Sequence, residues 1–327
     1  MINRAFVVNK IDDKFISAIQ ELVIPTINEN EVLIKVTYSS VNFKDALSSV
    51  GNSGVTRNFP HVTGIDVAGT IQQSNSGKFK EGDEVLVTGY DMGMNSDGGH
   101  QSFVKVPDAW VIKKPTDISD KEIMTYGTAG LTAGLSINEL LNNGIGVESG
   151  EILVTGATGG VGSIAVAILS KLGFNVVAIS AKEEKIPFLK ELGAKEVILR
   201  KDFDVENKKP MVKERFAGIV DTVGGNILTE ALKALKYDGV ATCCGLTSSF
   251  KLNTNVFPFI LRGARLIGID SVECKIEKKL SIWNKLANEF KIDSLENLTT
   301  EISLEDLPEA YKTLLDAKAV GRYLVKI

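Results

Sequence analysis

Four glycines fall within seven residues at Gly156-Ala157-Thr158-Gly159-Gly160-Val161-Gly162. A short apolar run, Glu151 to Val154, precedes them, and an apolar helical pattern from Ser163 to Leu172 follows. Strand, glycine turn and helix is the context of a dinucleotide-binding loop, in which a G-x-G-x-x-G frame holds a pyrophosphate. Here Ala157, Gly159 and Gly162 take the three frame positions. The helix start offers backbone N–H groups and the positive end of its dipole to phosphate. Thr158, Gly159, Gly160, Val161 and Gly162 are therefore the candidate phosphate contacts, although a purely structural turn would use the same residues. A second apolar run, Phe174 to Ser180, stands where a βαβ unit puts its next strand, and it ends at Ser180-Ala181-Lys182. An NAD site usually carries Asp or Glu there for the ribose 2′-hydroxyl. A hydroxyl and a cation suit a 2′-phosphate instead, since a carboxylate would repel it. Lys185 adds charge, while Glu183 and Glu184 fit the first turn of the next helix. The reading is NADPH rather than NADH, with a solvated surface lysine as the plain alternative for Lys182.

Other chemistries are excluded by count. The chain has two histidines, His61 and His100, three cysteines, Cys243, Cys244 and Cys274, and no C-x-x-C pair. Adjacent Cys243 and Cys244 on a strand point to opposite faces, so a Cys/His zinc site is not expected. Three cysteines in 327 residues do not make a disulfide framework and suit a reducing cytoplasm. A net charge of −4 gives no general attraction to nucleic acid or anionic membrane. No apolar run approaches the roughly 18–20 residues that span a bilayer, and the first residues do not read as a signal peptide.

Two sorts of element must position the candidate residues. Up to about Trp110 the chain shows short strands with frequent turns: Ala5 to Val8, the alternating Glu31 to Tyr38, Val62 to Ile71, Glu84 to Thr88 and Ser102 to Val106. Such a pattern predicts a compact β-barrel-like domain. After Pro115 helix formers take over, broken at Gly127-Thr128-Ala129-Gly130. From Glu151 strands and helices alternate, with strands expected at 151–155, 175–180, 196–199, 218–221, 239–243 and 265–269. Six strands with intervening helices predict an α/β, doubly wound parallel sheet. Ser303-x-x-Asp306 opens a helix near the end, and Gly321 to Ile327 alternates as a strand that returns to the first domain. The expected domains are 1–118 with 300–327, and 119–299.

The order of motifs resembles the medium-chain dehydrogenase/reductase superfamily over the whole length. They are Ser40-Val41-Asn42-Phe43-Lys44-Asp45-Ala46-Leu47, Arg57-Asn58-Phe59-Pro60, Gly64-Ile65-Asp66-Val67-Ala68-Gly69-Thr70, Gly127-Thr128-Ala129-Gly130 and Val154 to Gly162. Asp221-Thr222-Val223-Gly224, Cys244-Gly245-Leu246, Pro258 to Arg262 and Gly268-Ile269-Asp270-Ser271-Val272 follow. Zinc-dependent members carry Gly-His-Glu where this chain has Gly64-Ile65-Asp66, so the resemblance is to the zinc-free, quinone-oxidoreductase-like branch, and within it to the acrylyl-CoA reductase group.

That resemblance implies a GroES-like first domain and a Rossmann second domain. It also implies NADPH-dependent reduction of an α,β-unsaturated carbonyl compound, acrylyl-CoA to propanoyl-CoA in particular. An NADPH:quinone oxidoreductase is the alternative, and a non-catalytic NADPH-binding sensor is a rival of another class. A short-chain dehydrogenase is disfavoured, because no Tyr-x-x-x-Lys follows the glycine turn at useful spacing. By the same resemblance Phe43, Thr128, Leu246, Ile260 and Ser271 border the nicotinamide, and Arg200 lies near the adenosine end. Leu246 and Ser271 do follow the fifth and sixth strands, the edge at which ligands bind; for Leu246 and Ile260 plain core packing is the alternative. Reduction of an enone needs a donor for the developing enolate oxygen and a proton for the α-carbon. Asn42 is the candidate donor, Phe43 packs on the ring, and Asp45 orients the loop; capping of the next helix by Asn42 and Asp45 is compatible with this. Relatives often carry Tyr where Phe43 stands, so a phenol acid is absent here, with Tyr126 a spare candidate. For CoA phosphates the candidates are Lys44, Arg57, Arg262 and Arg265, each otherwise an ordinary surface charge. The apolar sixth strand would sit at the sheet edge and need covering, which predicts a homodimer.

Overall fold

The computed structural model describes residues 2–203, 205 and 208–327. By internal contacts they form two compact units: Met1–Thr128 with Ser271–Ala287 and Ser294–Ile327, and Ala129–Asp270 with Asn288–Asp293. The first unit thus takes in more than the sequence boundaries at 118 and 300 assigned to it. One reason is Lys279, fully buried in the helix Ile276–Ala287. Its Nζ donates to the carbonyls of Thr88 at 2.7 Å and Val272 at 2.9 Å and lies 3.4 Å from the centre of the Tyr90 ring. A buried ammonium needs such partners, and here they tie the returning helix to the first unit.

Within that unit Glu31–Ser40 is the central strand of a seven-stranded sheet. Asp66–Ser74 pairs along one side; Phe103–Pro107 and Arg322–Lys326 share the other. Glu84–Thr88, Ile112–Lys113 and Thr299–Ile302 complete it. Val32, Ile34 and Val36 point inward at period two and pack with Val67, Ile71, Val85, Val87, Val104 and Val106. A smaller sheet pairs Asn3–Ile11 with Lys14–Leu22 and His61–Val62. Lys14–Leu22 buries little of either face and so lacks the clean alternation by which a strand is legible in sequence.

In the second unit six parallel strands lie in the order Glu196–Leu199, Asn175–Ser180, Glu151–Val154, Phe216–Asp221, Leu235–Cys243 and Arg265–Gly268. This is the doubly wound order, reversing direction between the first and fourth strands. Covered on both faces, Ile152-Leu153-Val154 and Val176 to Ser180 are wholly buried, which explains their continuous apolar sequence. The helix Gly160–Lys171 buries every residue from Gly162 to Leu169. No helix of the described residues is long and apolar enough to cross a membrane.

Gly162 fixes the approach of that helix to the first strand. A Cβ there would stand 2.4 Å from the Gly156 carbonyl oxygen and 2.7 Å from Ala157 Cα, both backbone atoms. Gly162→Ala is therefore expected to lower the midpoint of urea unfolding. Alanine is the better helix former by about 1 kcal/mol, but moving backbone apart costs about 1–3 kcal/mol. A midpoint at or above that of the wild type would show that helix and strand can separate freely.

Candidate functional site

The glycine turn lies at the carboxyl end of the first strand, beside the point where strand order reverses. Gly159 is extended at the N-cap, and the helix begins at Gly160, so the N–H groups of the first turn have no partner within the helix. Asp221 pins the adjoining strand end: its carboxylate accepts from Thr155 Oγ1 at 2.7 Å and from Gly224 N at 2.8 Å. Burial raises its pKa against those bonds. Thr158 is buried and Val161 half-buried along the turn. A helix N-terminus that presents its first-turn N–H groups at the end of the first strand fits a pyrophosphate.

The reading edge of the second strand is next to it. Ser180 is buried, and its Oγ accepts from Lys182 N at 3.0 Å, so the hydroxyl expected to meet a phosphate also shapes its own turn. Lys182 is half-buried, and burial, opposed by Glu184, lowers its pKa. Lys185 closes a one-turn 3₁₀ helix, Glu183–Lys185, set ahead of the helix Ile186–Glu191. Arg200 opens the helix that follows the third strand. At the fifth and sixth strands a cavity of about 460 Å³ is lined by Cys243 to Leu246 and Gly268 to Asp270, the carboxyl edge at which α/β sheets bind ligands. Leu246 and Ile260 are 63% and 70% exposed, which removes core packing as their explanation. A second cavity of about 420 Å³, beside Phe203 and Glu230, contains none of the candidate residues.

The first unit holds a buried polar cluster that the sequence reading did not assemble. Asp66 Oδ2 accepts from Ser40 Oγ at 2.5 Å, Asn42 Nδ2 at 2.7 Å and Thr128 N at 2.8 Å; Oδ1 accepts from Thr128 Oγ1 at 2.5 Å. Arg322 faces the same hydroxyl: Nη2 donates to Ser40 Oγ at 3.0 Å, Nη1 to the Val41 carbonyl and Nε to that of Thr125. Gly127 makes room, because a Cβ at its left-handed position would stand 2.5 Å from Asp66 Oδ2. Asp45 is fully buried and accepts from the backbone N–H of Asn42 at 2.7 Å, Ile65 at 3.0 Å and Gly64 at 3.1 Å. Burial and the charge of Asp66 push its pKa up to about 7 against those three bonds.

These contacts redistribute the expected roles. The Asn42 amide, read as donor to a reacting oxygen, donates instead to Asp66. Asp45 accepts from Asn42 N in the helix-capping manner. Phe43 begins the helix Phe43–Ser49 and is 38% exposed. Thr128 joins Asn42 on Asp66, whereas Tyr126 and Ser271 are buried. Among the cations read as phosphate ligands, Arg262 is ruled out. It is buried and donates to the carbonyls of Lys233, Leu235 and Val212. Arg57 and Arg265 are exposed and Lys44 half-buried. Both histidines are engaged inside the unit. His61 Nε2 lies 3.0 Å from the Gly93 carbonyl; His100 Nδ1 lies 2.9 Å from both Thr63 Oγ1 and Tyr311 Oη, and burial pushes its pKa down to about 3. Arg322 and Ser40 were missed. A charged residue at an inward position of an alternating strand, as in Arg322-Tyr323-Leu324-Val325, was the available signal.

Fold and phosphate turn together define a two-domain, nucleotide-dependent dehydrogenase or reductase. Residues 28–116 match the alcohol dehydrogenase GroES-like domain and residues 160–285 the zinc-binding dehydrogenase domain. The acrylyl-CoA reductase AcuI of Ruegeria pomeroyi is 37% identical over 325 residues, 99% of this chain and 98% of that protein. Bacillus subtilis YhfP, assigned by name to the quinone oxidoreductases, is 44% identical over 297 residues, 90% of each chain. The structure of Bacillus subtilis yhfP with NAD bound superposes with a TM-score of 0.97 at 40% identity over the whole of both chains. That of the Salmonella enterica yhdH oxidoreductase with NADP does so at 0.96 and 38%, over 99% of each. The chain belongs to the medium-chain dehydrogenase/reductase superfamily, in the zinc-free branch that holds the quinone oxidoreductases and acrylyl-CoA reductases.

Asp45 makes stability depend on pH. Its folded pKa of about 7 lies above the ordinary 3.8, so between those values the folded state binds the extra proton and stability falls as pH rises. Asp45→Asn has no such slope. The stability lost through Asp45→Asn, measured by urea unfolding, should therefore narrow from pH 5 to 7.5 and then stay level. A gap that widens over this range would contradict the burial of the charge.

Proposed function

We propose that the chain is an NADPH-dependent reductase of α,β-unsaturated carbonyl compounds, with acrylyl-CoA as substrate and propanoyl-CoA as product. The observation that carries this is similarity along the whole chain to an acrylyl-CoA reductase, on a fold whose second strand ends in Ser180-Ala181-Lys182 rather than a carboxylate. Bound NADPH supplies a hydride to the β-carbon of the substrate. The protein's own part is to hold the cofactor and receive the charge that develops on the substrate oxygen. Thr158 to Gly162 hold the pyrophosphate through backbone N–H groups. Lys182, Lys185 and Arg200 balance the 2′-phosphate, with Ser180 forming the turn that presents them. Leu246, Ile260 and Phe43 offer apolar surface to the nicotinamide, and Thr128 and Ser271 polar contacts. Asn42 and Asp45 act as positioning residues: with Asp66 and Arg322 they fix the backbone that carries Phe43. The proton for the α-carbon comes from water.

Relatives at similar identity differ in the nucleotide their structures hold, NADP in one and NAD in another, which makes the residues at the second strand decisive. A quinone oxidoreductase is the second reading, favoured by the likeness to YhfP. Steady-state assays with acrylyl-CoA, crotonyl-CoA and a benzoquinone, all with NADPH, should rank acrylyl-CoA first in kcat/KM. A higher value for the quinone would reverse the assignment.

A cytoplasmic homodimer is part of the same proposal. Arg265–Gly268 is the last strand of its sheet, its outer side paired with no other strand among the described residues, and Val256, Phe257 and Leu261 nearby are 45–61% exposed. Pairing two such edges covers the backbone row. Light scattering after size exclusion should give twice the chain mass; a monomer at micromolar concentration would reject the dimer.

A further inference from the structure

We infer that Ser248 is a specificity-determining residue, holding the Arg200 guanidinium ready for the 2′-phosphate of NADPH; this rests on the NADPH reading above. Register puts Arg200 in place. The second and third strands pair in parallel with Ser180 opposite Leu199, so Arg200 follows its strand at the level where Ala181 and Lys182 follow theirs. That is the position from which a Rossmann sheet distinguishes a ribose hydroxyl from a phosphate, by a carboxylate or by a nearby arginine. An arginine on the surface is flexible, and immobilising it on binding costs about 0.5–1.5 kcal/mol. Here the cost is partly met beforehand, because Arg200 Nη2 donates to Ser248 Oγ at 3.1 Å.

Ser248 is itself fixed by backbone. Its N–H donates to the Val223 carbonyl at 2.8 Å, and its neighbour Ser249 forms a parallel bridge with Gly224. The loop after the fifth strand is thus laid against the turn after the fourth, which Asp221 holds. Glu183, the acid nearest the reading edge in sequence, is paired with Lys201 at 3.4 Å, next to Arg200 in the chain. The pair is exposed and adds little stability, but it offsets a negative charge that would oppose a phosphate.

Dissociation constants for NADPH and NADH, measured by nucleotide fluorescence on the full chain, test this. Ser248→Ala should weaken NADPH about threefold to tenfold, the equivalent of the ordering cost, and leave NADH within about twofold. Ser248→Thr, which keeps the hydroxyl, should restore the wild-type value and shows that the loop tolerates substitution. Arg200→Ala should weaken NADPH further, and Ser248→Ala added to it should cost nothing more. Equal loss of both nucleotides in Ser248→Ala, no loss at all, or additive losses in the double variant overturns the role of Ser248 while a wild-type preference for NADPH stands. A wild-type chain that binds NADH as tightly as NADPH overturns the NADPH reading and this inference with it.

Discussion

A carboxylate and a guanidinium buried in one core must each find hydrogen-bond partners there, because water is not available to supply them. In the first unit Asp66 and Arg322 meet that demand through a shared hydroxyl. Ser40 Oγ donates to the acid and accepts from the base. The remaining donors of Arg322 go to the carbonyls of Val41 and Thr125, and the remaining acceptor sites of Asp66 to Asn42 and Thr128. Three stretches distant in sequence, around 40–45, 64–66 and 125–128, are thereby held against the last strand. Removing one partner of such a set leaves a charge uncompensated, at a cost of about 3–5 kcal/mol. The proposed reaction depends on this indirectly, since these contacts help to hold the backbone that carries Phe43 and the Thr128 hydroxyl.

The second unit answers a different constraint. Its central parallel strands are covered on both faces, and such sheets bind ligands at the edge where the strands end and the loops diverge. Glycine at 162 lets the helix come close enough for its N-terminus to face that edge, and Asp221 locks the neighbouring turn. In the proposed function, phosphate recognition rests on backbone geometry and nucleotide choice on the side chains after the second and third strands.

The second unit was largely legible in the sequence for this reason. Continuous apolar runs, a glycine turn and regular alternation report directly on buried parallel strands, and all six were found, the fifth beginning earlier than expected at Leu235. The first unit was less so. Lys14–Leu22 exposes much of both faces, and Lys279 and Arg322 bury charges that sequence patterns assign to the surface. Arg262 shows the same limit from the other side: in sequence it is one more cation in reach of a phosphate, but its partners Val212, Lys233 and Leu235 lie up to 50 positions away. The sequence pairs Asn42 with Asp45, yet in it Asp66, which takes the Asn42 amide, stands out only as a departure from a metal-binding pattern. Local periodicity reports which face is buried; it carries no information on which distant donor meets which acceptor.

The Ser40 hydroxyl has a consequence for how this core can change over time. Alanine at 40 would separate the acid from the base, and a neutral residue at 66 or 322 would strand the partner. No single substitution in the set leaves every group satisfied, and an apolar replacement of acid, base and hydroxyl together would still strip partners from the Asn42 amide, the Thr128 N–H and the carbonyls of Val41 and Thr125. Sequence drift around these residues therefore meets a cost at its first step, and the cluster should be inherited as a block.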